Sequence, residues 1–443
     1  VARLTSRLLS IVAMLMLVPA TLAFFDGDTD ALSAYVTSAM LTLLVSAMLA
    51  YFGRGASEEL HRKDAIGTVA LTWVLLGLFG GLPFVFEGSI SHPASAIFEA
   101  VSGFTTTGAT VVADVDGLSR ATNLWRCLSH WIGGMGIVVL FVAVFPTLGV
   151  GAKHLFKSEV SGPITAGLRP KIKQTALALW WIYGGLTVLC FALLWLAGMS
   201  PYDAACHAFS TLGTGGFSTR TASIGAFNSA TIDWIIALFM LIAGLNFGLF
   251  YAAARGRPNL LWKNYEVRFY LLINAVVAFV VFLSISDRHV DALTSMRHAV
   301  FQTLAVTTTT GFMTEDFDTY PNIARYLLFL AMFMGGCAGS TAGGIKVSRV
   351  FALLKLFARE LRAVVQPAAI IPVRLGRTAV PEPVLRGILV FVAAYLMLYA
   401  AASAVMVLLG LDIVTAMSAT IACLSSIGPG LGDVGPSQNY EFI

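Results

Sequence analysis

Residues 104–109 read Phe-Thr-Thr-Thr-Gly-Ala, and three later stretches share this Gly- and Thr-rich character. They are Leu-Gly-Thr-Gly-Gly-Phe at 212–217, Thr-Thr-Thr-Thr-Gly-Phe at 307–312 and Ser-Ile-Gly-Pro-Gly-Leu at 426–431. With the last glycine of each stretch aligned, the four positions are Gly108, Gly216, Gly311 and Gly430, at intervals of 108, 95 and 119 residues. Each stretch follows a segment too short to cross a bilayer, at 92–104, 200–212, 291–304 and 412–425. The sequence therefore predicts four copies of span, short helix, Gly/Thr stretch and span.

The composition is that of a membrane protein. Hydrophobic residues make up 57% of the 443 residues and charged residues 12%, and the mean hydropathy is +0.81. A soluble domain carries about 25% charged residues, so this composition excludes a soluble globule, a disordered chain and a coiled coil. Nine spans are predicted, at roughly 8–25, 32–52, 66–86, 123–150, 174–199, 231–254, 267–286, 323–358 (broken at 335–344) and 384–411. The first run alone could be a signal peptide, but the second run close behind it favours a retained hairpin.

The charges separate into two sets of loops. The N-terminus and segments 53–64, 151–173, 255–268 and 346–386 hold 22 of the 28 Lys and Arg residues but only 7 of the 24 Asp and Glu residues. Short basic loops stay in the cytoplasm. We therefore expect a cytoplasmic N-terminus and an acidic external face, where Glu315, Asp316, Asp318, Asp114 and Asp116 either concentrate cations or are ordinary solvated loop residues.

The Gly/Thr stretches have the chemistry of a cation filter. Irregular backbone at membrane depth is tolerated only where protein buries it or where it lines water. Four such stretches around one axis would present rings of carbonyl and hydroxyl oxygens, which can replace the hydration shell of a monovalent cation. Glycine permits the backbone angles that turn carbonyls inward, and the short helix before each stretch would direct its partly negative C-terminus at the ion. Close helix packing through small residues is the competing explanation.

The sequence resembles the Trk/Ktr/HKT superfamily of potassium transporters, in particular its bacterial Trk-type membrane subunits. The resemblance covers the whole chain and rests on the four stretches, on His-Trp-Ile-Gly-Gly-Met-Gly at 130–136 and on the Gly-rich segment 335–346. It implies an all-helical membrane protein with four repeats around one potassium-selective pore, in which Gly108, rather than serine, favours potassium over sodium. The implied filter residues are Thr105, Thr106, Thr107, Gly108, Gly213, Thr214, Gly215, Gly216, Thr308, Thr309, Thr310, Gly311, Ile427, Gly428, Pro429 and Gly430.

The resemblance also implies how the pore is regulated. Segment 335–344 would be an intramembrane loop that obstructs the pore and moves on gating, with Lys346 either holding it or being an ordinary cytoplasmic lysine. The implied gating residues are Gly335, Gly336, Gly339, Ser340, Thr341, Gly343, Gly344 and Lys346. The expected partners are a second copy of the chain, a cytosolic TrkA-type nucleotide-binding ring facing the basic loops 153–173 and 346–377, and bilayer lipid, but no nucleic acid.

The repeats predict the domain boundaries. An N-terminal hairpin would occupy 1–60, and four pore repeats would occupy 61–150, 151–255, 256–365 and 366–443. The fourth repeat lacks a second helix after Gly430, so we expect the protein to continue beyond Ile443.

Two function classes remain open, and a third is disfavoured. The first is a gated potassium channel or uptake system, driven by the membrane potential. The second is a potassium symporter coupled to protons or sodium, which needs a titratable group along the path, and the sequence places none firmly inside the spans. An enzyme is not expected because the seven histidines form no HExxH motif and no paired ligands. Potassium is the expected transported ion, without an organic cofactor.

Overall fold

The computed structural model describes residues 2–54, 62–144, 168–369, 371–376 and 378–442, and these are mostly helical. A two-residue antiparallel hairpin pairs β1 (Arg374–Leu375) with β2 (Thr378–Ala379), and Arg374 lies opposite Ala379. The helices are α1 (Ala2–Asp26), α2 (Thr29–Phe52), α3 (Arg62–Glu87), α4 (Pro93–Phe104), α5 (Arg120–Val144), α6 (Leu168–Leu196), α7 (Pro201–Gly213), α8 (Ala230–Ala243), α9 (Phe247–Ala254), α10 (Asn259–Lys263), α11 (Tyr265–Ile285), α12 (Ala292–Thr307), α13 (Asn322–Ala331), α14 (Val347–Val365), α15 (Glu382–Leu408) and α16 (Ile413–Leu424).

Long apolar helices make the chain a multi-pass membrane protein. Among the described residues, six helices have the length and hydropathy of a span, namely α1, α2, α3, α6, α11 and α15. Helices α8 and α9 pass the same test only as a bent pair. The predicted run 323–358 is two helices, α13 and α14, on either side of a non-helical segment. Helix α5 covers the described part of run 123–150, and loop 151–173 lies largely outside the described residues.

The predicted span at 231–254 consists of two helices, because the chain turns by 92° between α8 and α9. The Gly244 carbonyl accepts from the Cys337 N–H at 2.8 Å, and the Phe247 N–H donates to the Gly339 carbonyl at 3.1 Å. The Asn246 side chain caps α9 by accepting from the Gly248 N–H. Contacts with segment 335–346 thus replace the helical hydrogen bonds lost at the bend.

Four short helices lie where the sequence predicts them: α4, α7, α12 and α16. Three begin at a side chain that accepts from a backbone N–H of the first turn, namely Ser200, Asp291 and Asp412. The fourth begins with Pro93, whose ring fixes the first helical φ angle. Each helix ends at a Gly/Thr stretch, because backbone with positive φ cannot continue an α-helix.

The N-terminal hairpin packs on the first repeat. Tyr35 of α2 lies edge-on to Trp125 of α5, with ring centroids 6.3 Å apart, and Phe104 of α4 contacts the same Trp125 ring at 5.8 Å. All three side chains are buried. The hairpin therefore supports the pore helix α4 through one shared aromatic cluster.

Two glycines let α5 approach the Gly/Thr stretches. A Cβ at Gly133 would lie 2.0 Å from the Phe104 carbonyl oxygen, and one at Gly134 would lie 2.9 Å from the Gly213 Cα. Helix α5 is thus in backbone contact with the first two stretches, which explains the glycine pair in the motif at 130–136.

We predict that Gly133→Ala destabilises the protein by about 1–3 kcal/mol, because the added methyl group overpacks the backbone of Phe104. The measurement is the thermal unfolding midpoint in detergent. Gly136→Ala is the matched control, since that position on the same helix is exposed and a Cβ there meets nothing within 4 Å. Equal midpoints for the two variants would contradict the close approach.

Candidate functional site

The four Gly/Thr stretches adopt one backbone conformation. In each, a residue with positive φ is followed two positions later by a glycine with positive φ. The pairs are Thr106 (+56°) with Gly108 (+77°), Thr214 (+54°) with Gly216 (+83°), Thr309 (+56°) with Gly311 (+77°), and Ser426 (+60°) with Gly428 (+97°). Left-handed backbone at a Thr or Ser is strained, and its recurrence at equivalent positions shows that the surrounding protein imposes it.

Hydrogen bonds at the ends of the short helices align the four stretches in the same way as the positive φ angles do. The N–H just before each glycine donates to the carbonyl five residues earlier, at 2.8–2.9 Å, in the pairs Thr107–Ser102, Gly215–Ser210, Thr310–Ala305 and Ile427–Ala422. The fourth stretch is therefore Ser425–Gly428 in place of 427–430, and the equivalent glycine is Gly428 rather than Gly430. Gly430 instead donates its N–H to the Val434 carbonyl.

The four stretches close into a ring. A Cβ at Gly108 would lie 1.9 Å from the Gly215 carbonyl oxygen, one at Gly216 would lie 2.0 Å from that of Thr310, and one at Gly311 would lie 1.8 Å from that of Ile427. A Cβ at Gly428 would lie 2.9 Å from the carbonyl oxygens of Thr107 and Gly108. Each glycine thus lies against the carbonyl of the next stretch, and the fourth returns to the first.

An open cavity lies on one side of this ring, and we call it the vestibule. All four glycines line it, together with residues that follow them, such as Thr110 and Ser218. The segment 436–440 also lines it. The Tyr440 hydroxyl donates to the Gly428 carbonyl at 2.7 Å, and the Tyr440 N–H donates to the Thr110 carbonyl at 2.8 Å.

The acidic residues expected near the vestibule mostly have partners. Asp116 pairs with Arg220 at 3.3 Å, Asp318 with Arg325 at 2.6 Å, and Glu315 with His289 at 3.1 Å. A hydrogen bond from the Thr221 N–H, with help from Arg220, holds the pKa of Asp116 below its usual range. These pairs compensate part of the acidic charge locally.

A buried ion pair supports the first stretch. Glu99 of α4 and Arg126 of α5 are both within 1% of complete burial and meet at 2.8 Å. Glu99 also accepts from the Thr110 hydroxyl and the Val111 N–H, both at 2.9 Å, just beyond Gly108. Arg126 lies 4.2 Å from the Phe217 ring centroid and donates to the Ser218 carbonyl, so the pair joins the first two repeats.

Other pore helices make the same kind of connection with different chemistry. His207 of α7 lies 2.9 Å from the Ser218 hydroxyl, and Gln302 of α12 donates to the Glu315 carbonyl at 2.9 Å. Ser418 of α16 accepts from the Leu431 N–H at 3.0 Å. We call these contacts and those of Glu99 the polar straps, because each ties a pore helix to the chain that leaves its stretch.

His130, in the motif at 130–136, packs against the second stretch. Its ring stacks on Phe217 at 4.1 Å, and the Phe217 N–H donates to Nδ1 at 3.4 Å. A Cβ at Gly215 would lie 2.2 Å from that nitrogen. Gly215 therefore makes room for an imidazole.

Segment 335–346 lies on the side of the ring opposite the vestibule. The Thr341 hydroxyl is 3.2 Å from the Leu212 carbonyl and 3.3 Å from that of Ala243, and the Gly343 N–H donates to the Thr309 hydroxyl at 2.7 Å. A Cβ at Gly343 would lie 2.0 Å from the Ser425 carbonyl oxygen. The segment thus contacts the chain at the helix ends of three repeats.

Glycines and a lysine shape this segment. Gly335, Gly339, Gly344 and Lys346 have positive φ, and the Lys346 ammonium donates to the Ala342 carbonyl. Gly336 lies so close to the Gly244 carbonyl that a Cβ would be 2.8 Å from it, and the Ser340 hydroxyl donates to the Cys337 carbonyl.

Among the described residues, several buried carboxylates escaped the sequence analysis, which placed no titratable group firmly inside the spans. Glu99 pairs with Arg126, Asp233 of α8 pairs with Arg297 at 3.2 Å, and Glu266 of α11 accepts from the N–H groups of Ala338 and Ser348. A charged residue within an apolar segment was the available signal. Their partners lie 27 to 82 residues away, however, and no local pattern identifies them.

Comparison with known proteins agrees with this geometry. A family model described as "TrkH: Cation transport protein" matches residues 31–441. The chain belongs to the TrkH family of cation transport proteins. It is 40% identical to the Trk system potassium uptake protein TrkH of Halomonas elongata, over 98% of this chain and 90% of that protein, and 38% identical to its Escherichia coli counterpart, over 98% and 91%.

A solved structure shares the fold. The crystal structure of the potassium transporter TrkH from Vibrio parahaemolyticus superimposes with a TM-score of 0.91 at 36% identity, covering 100% of this chain and 92% of that one. Membership in the TrkH family confirms the predicted all-helical membrane fold. It also places the chain among inner-membrane transport proteins rather than enzymes.

We predict that Glu99→Gln lowers the free energy of unfolding by about 3–5 kcal/mol, because it leaves a buried guanidinium without its counter-charge. Asp116→Asn is the matched control. It breaks a pair that is nearly half exposed on both sides and should cost no more than about 1 kcal/mol. Thermal unfolding of both variants in detergent provides the comparison, and equal losses would show that the buried pair adds nothing beyond an exposed one.

Proposed function

We propose that the chain mediates potassium uptake across the bacterial cytoplasmic membrane, through a selectivity filter formed by the four stretches. The observation that carries this proposal is the ring in which each left-handed glycine lies against a carbonyl of the next stretch. Such a ring offers stacked carbonyl oxygens to an ion without its water shell. The relatives named potassium uptake proteins support potassium as the ion.

The proposed filter comprises 105–108, 213–216, 308–311 and 425–428. Pore-helix C-termini end at each of these segments, and their partial negative charge favours a cation over an anion. Pro429 and Gly430 then belong to the vestibule side rather than to the filter. We further propose that the vestibule is on the external side of the membrane and that the N-terminus is cytoplasmic, because short basic loops stay in the cytoplasm.

We propose that segment 335–346 is the gate. Its support is its position against the helix ends of three stretches, on the cytoplasmic side of the filter. A homodimer and a cytosolic TrkA-type nucleotide-binding ring are the proposed partners. The TrkA-type partner would meet the basic surface of α14, which carries Arg349, Lys355, Arg359 and Arg362.

Cation flux into proteoliposomes tests the central proposal. With the full-length protein and an imposed potential, potassium and rubidium uptake should far exceed sodium and lithium uptake. Equal uptake of all four ions would overturn the filter.

A potassium symporter coupled to protons or sodium is the alternative function. It needs a titratable group along the path, and the buried Glu266 beside the proposed gate is such a group. A reversal potential that shifts with pH or sodium at fixed potassium would favour that alternative over a channel.

We predict that Gly108→Ser lowers the potassium-over-sodium flux ratio about tenfold or more, a change of about 1.4 kcal/mol in relative barrier height. The new Cβ would clash with the Gly215 carbonyl oxygen, 1.9 Å away, and move that oxygen off the axis. Gly88→Ser is the matched control. Gly88 has a similar φ of +82°, but a Cβ there meets nothing within 4 Å. An unchanged flux ratio in Gly108→Ser would exclude this glycine from ion selection.

We predict that Thr341→Val raises basal potassium flux several-fold without changing the ion preference. The substitution keeps the side-chain volume but removes the one hydroxyl proton that the Leu212 and Ala243 carbonyls share, a hydrogen bond worth about 1 kcal/mol. Ser340→Ala is the matched control, because that hydroxyl bonds only within the segment, to Cys337. Basal flux that stays at the wild-type level in Thr341→Val would mean that this contact does not hold a closed gate.

A further inference from the structure

Two histidines and a glutamate of the third repeat meet outside the four stretches, although the sequence suggested that no histidines are paired. They are His289, His298 and Glu315, and one ligand atom from each lies within 4.8 Å of the others. His289 Nε2 is 3.1 Å from a Glu315 carboxylate oxygen. The two imidazole rings stack with centroids 5.1 Å apart. None of these residues belongs to the proposed filter or gate.

The cluster joins three segments of the third repeat. His289 lies in the turn between α11 and α12, and His298 lies on the second turn of α12. Glu315 follows Gly311 by four residues, and its carbonyl accepts from Gln302, a polar strap of α12. Anything that binds all three side chains would therefore fix the chain leaving the third stretch to its own pore helix.

Neighbouring groups hold the three side chains of the cluster by hydrogen bonds. His289 Nδ1 lies 3.1 Å from the Ser295 hydroxyl, and His298 Nδ1 lies 2.8 Å from the Thr314 hydroxyl. His289 Nε2 thereby faces the Glu315 carboxylate, whereas His298 Nε2 faces Arg297. The Tyr320 hydroxyl donates to the second carboxylate oxygen of Glu315. Hydrogen bonds of this kind, to the far side of each ligand, are typical of protein metal sites.

Arg297 is the charged group nearest the cluster. Its guanidinium lies 3.4 Å from His298 Nε2 and also pairs with Asp233 at 3.2 Å. Because a guanidinium only donates, His298 Nε2 is the acceptor of this contact, and its lone pair is free to bind a metal only after Arg297 moves away. Arg297 retains its ion pair with Asp233 when its weak contact with His298 is lost. The side chains of His289 and Glu315 are 18% and 25% exposed, so solvent reaches the site.

We propose that His289, His298 and Glu315 bind a divalent transition-metal ion of the zinc class. Two imidazoles and one carboxylate, with a fourth position for water, form a ligand set typical of zinc. Metal–ligand bonds of about 2.1 Å require about 3.4 Å between ligand atoms in a tetrahedral site. The His289–Glu315 distance of 3.1 Å is close to this value, and His298, whose ligand atom lies within 4.8 Å of the other two, would turn toward them on binding. The bound ion would clamp the outer edge of the third stretch and slow ion passage, a consequence that rests on the proposed function.

Metal binding is tested without reference to transport. Calorimetric titration of the full-length protein in detergent with zinc chloride should show one ion per chain. His289→Gln, His298→Gln and Glu315→Gln should each weaken binding by about tenfold or more. His92→Gln is the matched control, since His92 is an exposed histidine at the start of α4 in the first repeat. No binding by the wild type, or wild-type affinity in all three variants, would overturn the site.

Two further measurements separate the possible failures. Cobalt(II) added to the wild-type protein should give a tetrahedral absorption spectrum that zinc abolishes, which does not depend on how well any variant folds. Zinc outside the proteoliposomes should reduce potassium flux several-fold in the wild type and leave Glu315→Gln unaffected. Zinc binding with unchanged flux would overturn the clamp, whereas a wild type without potassium selectivity in zinc-free buffer would overturn the proposed function instead.

Discussion

The contact between a left-handed glycine and the carbonyl of the next stretch constrains the rest of this protein. At Gly108, Gly216 and Gly311 even a methyl group would come within 2.0 Å of a carbonyl oxygen. None of these three stretches can therefore change its backbone conformation without displacing the stretch next to it. The conformation is also costly at Thr106, Thr214 and Thr309, each of which is held at positive φ. A strained ring of this kind persists only if the surrounding helices hold it from outside.

The polar straps provide that support, and they differ between repeats. The first repeat uses a carboxylate neutralised by Arg126, the second an imidazole, the third an amide and the fourth a hydroxyl. A buried ion pair holds its geometry tightly, because loss of either partner leaves an uncompensated charge. A single hydroxyl contributes far less. The ring is therefore fourfold in its backbone but not in its support, and its stiffness should vary from one stretch to the next.

Sequence patterns predicted the elements of the fold better than their register. The four stretches, the short helices before them and the broken span around 335–344 follow from local composition and hydropathy. The fourth stretch was misaligned because glycine identity favours Gly430, whereas the deciding feature is the positive φ shared by Ser426 and Gly428. The bend after Ala243 was missed because hydropathy carries no information on helix direction. Gly244 and Asn246 were its only local signals, and the backbone groups that stabilise the bend lie near residue 340.

Segment 335–346 connects the filter to the start of α14 through a short series of hydrogen bonds. Gly343 bonds to Thr309 at the filter, and Lys346 bonds to Ala342 within the segment. Glu266 accepts from both Ala338 in the segment and Ser348 in the first turn of α14. A displacement of α14 would therefore act on Glu266, because losing the Ser348 donor leaves a buried carboxyl group with fewer hydrogen-bond partners. We infer that Ala338 follows Ser348, so that the segment moves as a unit with α14 while the ring of glycines stays in place. In that arrangement the proposed gate would open without cost to the strained backbone of the proposed filter.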